Sequence, residues 1–110
     1  MKAKLISLDG WMSQRKIPVP KLPAILGRGP HVAIRIDDRW ASRYHCEIDE
    51  VAGTLVVRDL GSTHGTFVNG HAVTEAHLKP GDRLTVGVSS FQVQYRQSLR
   101  PSPTYLCKTG

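Results

Sequence analysis

Cysteine is scarce: the chain has only Cys46 and Cys107, and neither belongs to a CxxC pair. That excludes a disulfide framework and a thiolate zinc site, and it fits reduced thiols in the cytoplasm. No apolar run reaches the length of a membrane-crossing helix. The opening MKAKLISLDGWM is too short and too interrupted in its apolar stretch for a secretory signal. No block of five or six like charges forms a basic arm, and the few aromatic residues do not interleave with arginine as a base-stacking surface requires. Nucleic acid is therefore a poor fit as partner, and a membrane is not expected. GxSxG, a Walker loop and paired carboxylates in a plausible site are all missing, so no enzyme and no cofactor are expected. Five histidines (His31, His45, His64, His71 and His77) form neither HxH nor HExxH, so no metal is expected.

What is present is an excess of cations. Fifteen Lys and Arg against nine Asp and Glu give a formal charge of +6, which suits an acidic partner: nucleic acid, an anionic membrane or a phosphorylated protein. Between Gly27 and His45 stand Arg28, Arg35, Arg39 and Arg43 against Asp37 and Asp38.

Short β-like runs bounded by turn residues fill most of the chain. Strands are expected at 3–8, at 16–20 (confined to an edge by Pro18 and Pro20), and at 24–26, 33–36, 44–48 and 54–58. Four more fall at 66–68, 71–73, 83–86 and 91–95. Asn69-Gly70 between two of them is a strong hairpin signal, because both positions accept positive φ. Strands so short and so regularly spaced, with no helical period, predict an all-β sandwich of two sheets. Its connecting loops gather at the ends, which makes 27–32, 37–43 and 60–65 the candidate ligand loops. Within 44–48, alternation puts Tyr44, Cys46 and Ile48 on the core face and turns His45 away, which defeats a Cys–His nucleophile pair. His45 is instead expected to lock its loop by backbone hydrogen bonds. From Arg96 onward the chain is polar and gains Pro101 and Pro103, so a domain over 1–96 and a flexible polar tail over 97–110 are expected. Within that tail Thr104 is a candidate phosphorylation site, and the Met1 start favours a short stand-alone protein.

The segment DLGSTHGTFVNG, residues 59–70, concentrates glycine with the hydrogen-bonding side chains of Ser62, Thr63, His64, Thr66 and Asn69. A turn needs such residues, and so does a cradle for an anion. Gly27-Arg28 ends a strand with a guanidinium able to take two phosphate oxygens at once. Ser42-Arg43 offers a hydroxyl and a cation at the entry to the next strand.

In order along the chain, GR, SRYHCEI, DLGSTHGTFVNG and LKPGDRLTVG resemble the successive motifs of a forkhead-associated (FHA) domain, over roughly residues 24–95. The resemblance implies an eleven-stranded β-sandwich whose end loops bind phosphothreonine peptides, as an adaptor in kinase-linked signalling. It implies phosphopeptide contacts from Arg28, Ser42, Arg43 and Thr63, the last by hydroxyl and backbone amide. The position of His64 grips the peptide backbone in the family, usually with asparagine, so this chain departs from the pattern there. Gly27, His45, Gly65 and Asn69 are implied as scaffold. The implied partner is a phosphothreonine-containing protein, such as a Ser/Thr kinase or its substrate. The alternatives are a basic nucleic-acid-binding β domain and an FHA-like domain whose phosphate binding has degenerated.

Overall fold

A computed structural model describes residues 2–9 and 15–96. The expectations for Cys107, Thr104 and the tail over 97–110 lie outside them. The strands are β1 (Ala3–Ser7), β2 (Lys16–Pro18), β3 (Ala24–Gly27), β4 (Ile34–Arg35), β5 (Cys46–Val51) and β6 (Thr54–Asp59), then β7 (Thr66–Val68), β8 (His71–Val73), β9 (Glu75–Leu78), β10 (Arg83–Val86) and β11 (Ser89–Tyr95). They form a six-stranded sheet in the order β2-β1-β11-β10-β7-β8 and a five-stranded sheet in the order β4-β3-β5-β6-β9. All pairings are antiparallel except β3 with β4. The predicted β-sandwich is the architecture observed, and Pro18 sits on an edge strand, where a missing donor is tolerated.

Alternation builds the core. Leu5, Leu84, Val86 and Val93 of the first sheet and Leu26, Cys46, Ile48, Leu55, Val57 and Leu78 of the second are fully buried. Each such Leu, Ile or Val contributes roughly 1.5–3 kcal/mol by leaving water. The Tyr95 hydroxyl donates to the Leu78 carbonyl and accepts from the Leu55 amide at 3.3 Å, joining the two sheets.

Three local readings change. β9 was not expected: Glu75 and His77 face out while Ala76 and Leu78 pack inward, a register held by pairing with β6. β5 begins at Cys46, not Tyr44. Tyr44 is 53% exposed, whereas His45, expected to face away from the core, is fully buried. The chain turns His45 inward because its ring has hydrogen bonds to make there.

Register also defines two poles of the six-stranded sheet. Ser7 pairs with Phe91 and Thr66 with Val86, which places the ends of β1 and β10 and the starts of β7 and β11 at one pole. The loops around residues 28–33, 36–45 and 60–65 cluster there, joined by hydrogen bonds among themselves and to the β10–β11 turn. Ala3 pairs with Tyr95 and Leu84 with Val68, so the chain ends of the sandwich and the Pro80-Gly81 turn lie at the opposite pole.

Candidate functional site

The loop pole is assembled around Gly27. The Arg28 amide donates to the Ser42 carbonyl at 2.9 Å, and the Gly29 amide donates to the Arg43 carbonyl at 3.1 Å. This close crossing leaves no room at Gly27: a Cβ there would stand 2.1 Å from the Arg43 carbonyl oxygen and 2.8 Å from that of Ser42. Arg28 is exposed, and its Nε donates to the Ala41 carbonyl at 3.0 Å. That bond aims the guanidinium and leaves its two terminal nitrogens without a hydrogen-bond partner among the described residues. Arg35 donates to the Arg28 carbonyl at 3.3 Å, bringing a further cation beside it.

His45 ties the second loop to the third. Its Nδ1 accepts from the Ser42 amide at 2.9 Å, and its Nε2 lies 2.8 Å from the Gly65 carbonyl oxygen. An amide can only donate and a carbonyl can only accept, so the ring is the Nε2–H tautomer. Gly65 supplies that carbonyl from a backbone with φ of +91°, which glycine adopts without strain. The Thr63 amide donates to Ser42 Oγ at 3.0 Å. This differs from the expectation that the amide faces the phosphate directly. Accepting that bond leaves the Ser42 hydroxyl proton to be donated outward. Arg43, Thr63 and His64 are exposed on the same pole.

Two carboxylates that the sequence reading left without a role hold these loops from beneath. Asp59 accepts from the Gly61 amide at 3.0 Å, the Ser62 amide at 3.1 Å and the Thr66 hydroxyl at 2.7 Å, and it also accepts from the Ser62 hydroxyl. Asp38 is buried and accepts from the Trp40 amide at 2.7 Å and from the Val88 amide and Ser89 hydroxyl at 2.8 Å each. Burial pushes both carboxyls up, but the bonds donated to them outweigh it and hold both below the usual range. Neither carboxylate is in an ion pair among the described residues, where the salt bridges all belong to Arg58. The arginines of this pole therefore stand without a carboxylate partner among the described residues.

Stability should accordingly fall in acid. The unfolded carboxyls take up protons near their ordinary value of 3.8 while the folded ones still resist. Their stabilisation is thus complete above about pH 4–5 and lost as pH drops through the lowered folded values. Thermal melts from pH 6 down to 2.5 should show a falling Tm, with a shallower acid slope in Asp38→Asn and Asp59→Asn. An unchanged slope in both variants would place the acid sensitivity elsewhere.

Asn69, expected as hairpin-turn scaffold, stands apart from the three loops. Asn69 is at the far end of β7, where its side chain donates to Asp82 at 3.1 Å and accepts from the Arg83 amide at 2.9 Å. It locks the β7–β8 turn to the turn before β10 and touches none of the three loops by hydrogen bond. His64 meets a partner that the sequence reading did not name: its ring packs edge-on against Trp40, centroids 5.1 Å apart. The Arg39 guanidinium lies 6.0 Å from the same indole.

The fold and this pole together define a two-sheet β-sandwich domain with an arginine-bearing loop end, Arg28, Arg35, Arg39 and Arg43 all being exposed. The FHA domain family model matches residues 24–87, and the chain belongs to that family. It is 39% identical over 70 residues to the FHA domain-containing protein FhaA of Mycobacterium tuberculosis, covering 64% of this chain and 13% of FhaA. It is 41% identical over 61 residues to the glycogen accumulation regulator GarA of Mycolicibacterium smegmatis, covering 56% of this chain and 39% of GarA. The chain thus spans well under half the length of these relatives. An FHA domain solved in a study of phosphothreonine-dependent FHA domain interactions superposes with a TM-score of 0.78 at 32% identity, over 87% of this chain and 98% of that one. The FhaA FHA domain, solved in complex with the intracellular domain of another protein, gives 0.75 at 34% identity, over 84% and 99%.

Proposed function

We propose that this chain is a phosphothreonine-peptide-binding adaptor module of kinase-linked signalling, acting in the cytoplasm without catalysis of its own. The observation that carries the reading is the meeting of Arg28, Ser42, Arg43 and Thr63 on loops held together through Gly27 and His45, with Asp38 and Asp59 turned to structural use. Phosphate needs convergent donors and positive charge, and this pole supplies both. The phosphate is taken by the Arg28 guanidinium and the Ser42 hydroxyl, with Arg43 beside them and the Thr63 hydroxyl above. His64 contacts the flanking peptide backbone. The domain runs to about residue 96, and the partner is a phosphothreonine-bearing kinase or kinase substrate.

The state of the buried Cys46 is in keeping with a non-catalytic module. Burial, with a smaller opposing effect of Thr66 and a charge effect of Asp59, pushes the Cys46 thiol up to about 12. A thiol so placed stays protonated and unreactive at neutral pH.

The decisive test is calorimetry with a phosphothreonine peptide, its phosphoserine and unphosphorylated twins, and a random single-stranded DNA. Phosphothreonine should bind more tightly than phosphoserine by roughly 1–3 kcal/mol, the worth of seating one methyl-sized group in a fitted apolar recess. Equal affinity for the two phosphopeptides, or tighter binding of the DNA, would overturn the reading.

A further inference from the structure

A groove of about 750 Å³ lies at the pole opposite the phosphate loops. It is formed where β1 starts, β2 and β11 end, and the Pro80-Gly81 turn passes. Val19, Pro80 and Tyr95 give it apolar walls, and Lys2, Lys4 and Arg96 stand on its rim. The groove opens onto the outer face of the six-stranded sheet, and that face has one sign of charge. Its outward positions carry Lys4, Lys16, Arg83 and, one residue past β11, Arg96, together with glutamines, hydroxyls and the uncharged Ile6, Pro18, Phe67 and Ala72, and no carboxylate. The outer face of the five-stranded sheet is mixed with an acidic excess: Glu47, Asp49 and Glu75 surround Arg58 at 3.3–3.5 Å, and Arg35 is exposed on the edge strand β4. The molecule is thus charge-segregated between its two faces, and the basic face holds the concavity.

We propose that this pole is a second, phosphate-independent binding site, which takes an acidic peptide segment anchored by one apolar side chain. The apolar walls accept the anchor, and the rim cations meet the flanking carboxylates. Pro18 and Pro20 remove amide donors from the β2 edge, so the segment is held through side chains and not as an added strand. The chain's own continuation past Arg96 opposes the charge: residues 97–110 contain Arg100 and Lys108 and no Asp or Glu. A bilayer surface fits less well, because the exposed large apolar side chains among the described residues are elsewhere. Leu8, Trp40, Tyr44, Leu60 and Val88 are at the loop pole, and Val51 is on the five-stranded sheet. Among the described residues, duplex or single-stranded nucleic acid finds no fully exposed aromatic platform on this face, since Tyr95 is buried and Phe67 half-buried.

The test uses the full chain and a fluorescein-labelled oligoglutamate peptide with one central phenylalanine, followed by anisotropy. Its all-glutamate twin, a duplex DNA and phosphatidylserine vesicles are run beside it. Lys4→Glu combined with Arg96→Glu should weaken the phenylalanine peptide by about tenfold or more while leaving phosphothreonine-peptide affinity within about twofold, which also shows that the variant folds. The all-glutamate twin should bind about fivefold or more weaker than the phenylalanine peptide. The proposal is overturned if the double variant binds the probe as well as the parent, if the twin binds equally, or if a phosphothreonine peptide displaces the probe. Tighter binding of the DNA or of the vesicles would also overturn it, by assigning the face to another class of partner.

Discussion

Arg28→Ala should abolish measurable binding of a phosphothreonine peptide while the fold persists. The backbone of Arg28 is secured independently of its side chain, by the amide bond to the Ser42 carbonyl. The exposed side chain gives the fold only one hydrogen bond, from Nε to the Ala41 carbonyl. Losing it should cost about 1 kcal/mol of stability. Binding loses far more, because a phosphate left without its bidentate partner forfeits about 2–5 kcal/mol, or a factor of roughly 30 to 5,000. Arg28→Lys should fall between the two, since an ammonium keeps the charge but not the planar fork. Calorimetry of the three proteins decides the matter. Near-parental affinity in Arg28→Ala would remove the phosphate from this residue.

Gly27→Ala should damage fold and binding together. The added methyl would meet the Arg43 carbonyl oxygen at 2.1 Å and the Ser42 carbonyl oxygen at 2.8 Å, and both obstacles are main chain. A flexible side chain could swing away, but here the second loop must lift as a body. Such lifting strains the bonds from the Arg28 and Gly29 amides and shifts Ser42 and Arg43 away from Arg28. Overpacking of this kind costs about 3 kcal/mol, at the upper end of the usual range. In a domain of this size that corresponds to a Tm lower by roughly 10–20 °C. Binding should weaken by more than Tm loss alone explains, so affinity is best measured well below the new Tm. A variant with parental Tm and affinity would show that the two loops are not held in this register.

Most of the architecture could be read from alternation and turn residues because a sandwich strand buries every second side chain. β9 escaped for a physical reason: Glu75, Ala76, His77 and Leu78 have weak strand preferences, and pairing with β6 decides their conformation. His45 escaped its face assignment because hydrogen bonds to two loops, not the pleat, set its direction. The glycine- and hydroxyl-rich segments marked where the loops lie. What stood outside sequence reasoning was reach across the chain. Asp38 bonds to Val88 and Ser89, some fifty positions away, and nothing local distinguishes it from its exposed neighbour Asp37. Asp59 was closer to legible, since aspartate followed by Gly61 and Ser62 has the makings of an Asx turn. The Trp40–His64 contact likewise joins residues 24 positions apart in sequence, as the numbering itself records.

A single imidazole bridges two loops that share no covalent neighbour, and this couples their motions. When His45 loses either bond, the Ser42 amide or the Gly65 carbonyl is left unpaired beside a buried ring, so release of one loop favours release of the other. These two loops should therefore open as one unit, and the shielded Nε2 proton reports on it. Its exchange with solvent tracks the fraction of molecules in which the cradle has momentarily come apart, whatever fluctuations the rest of the sandwich undergoes. A bound peptide that slows this exchange would do so by holding closed a latch it never touches.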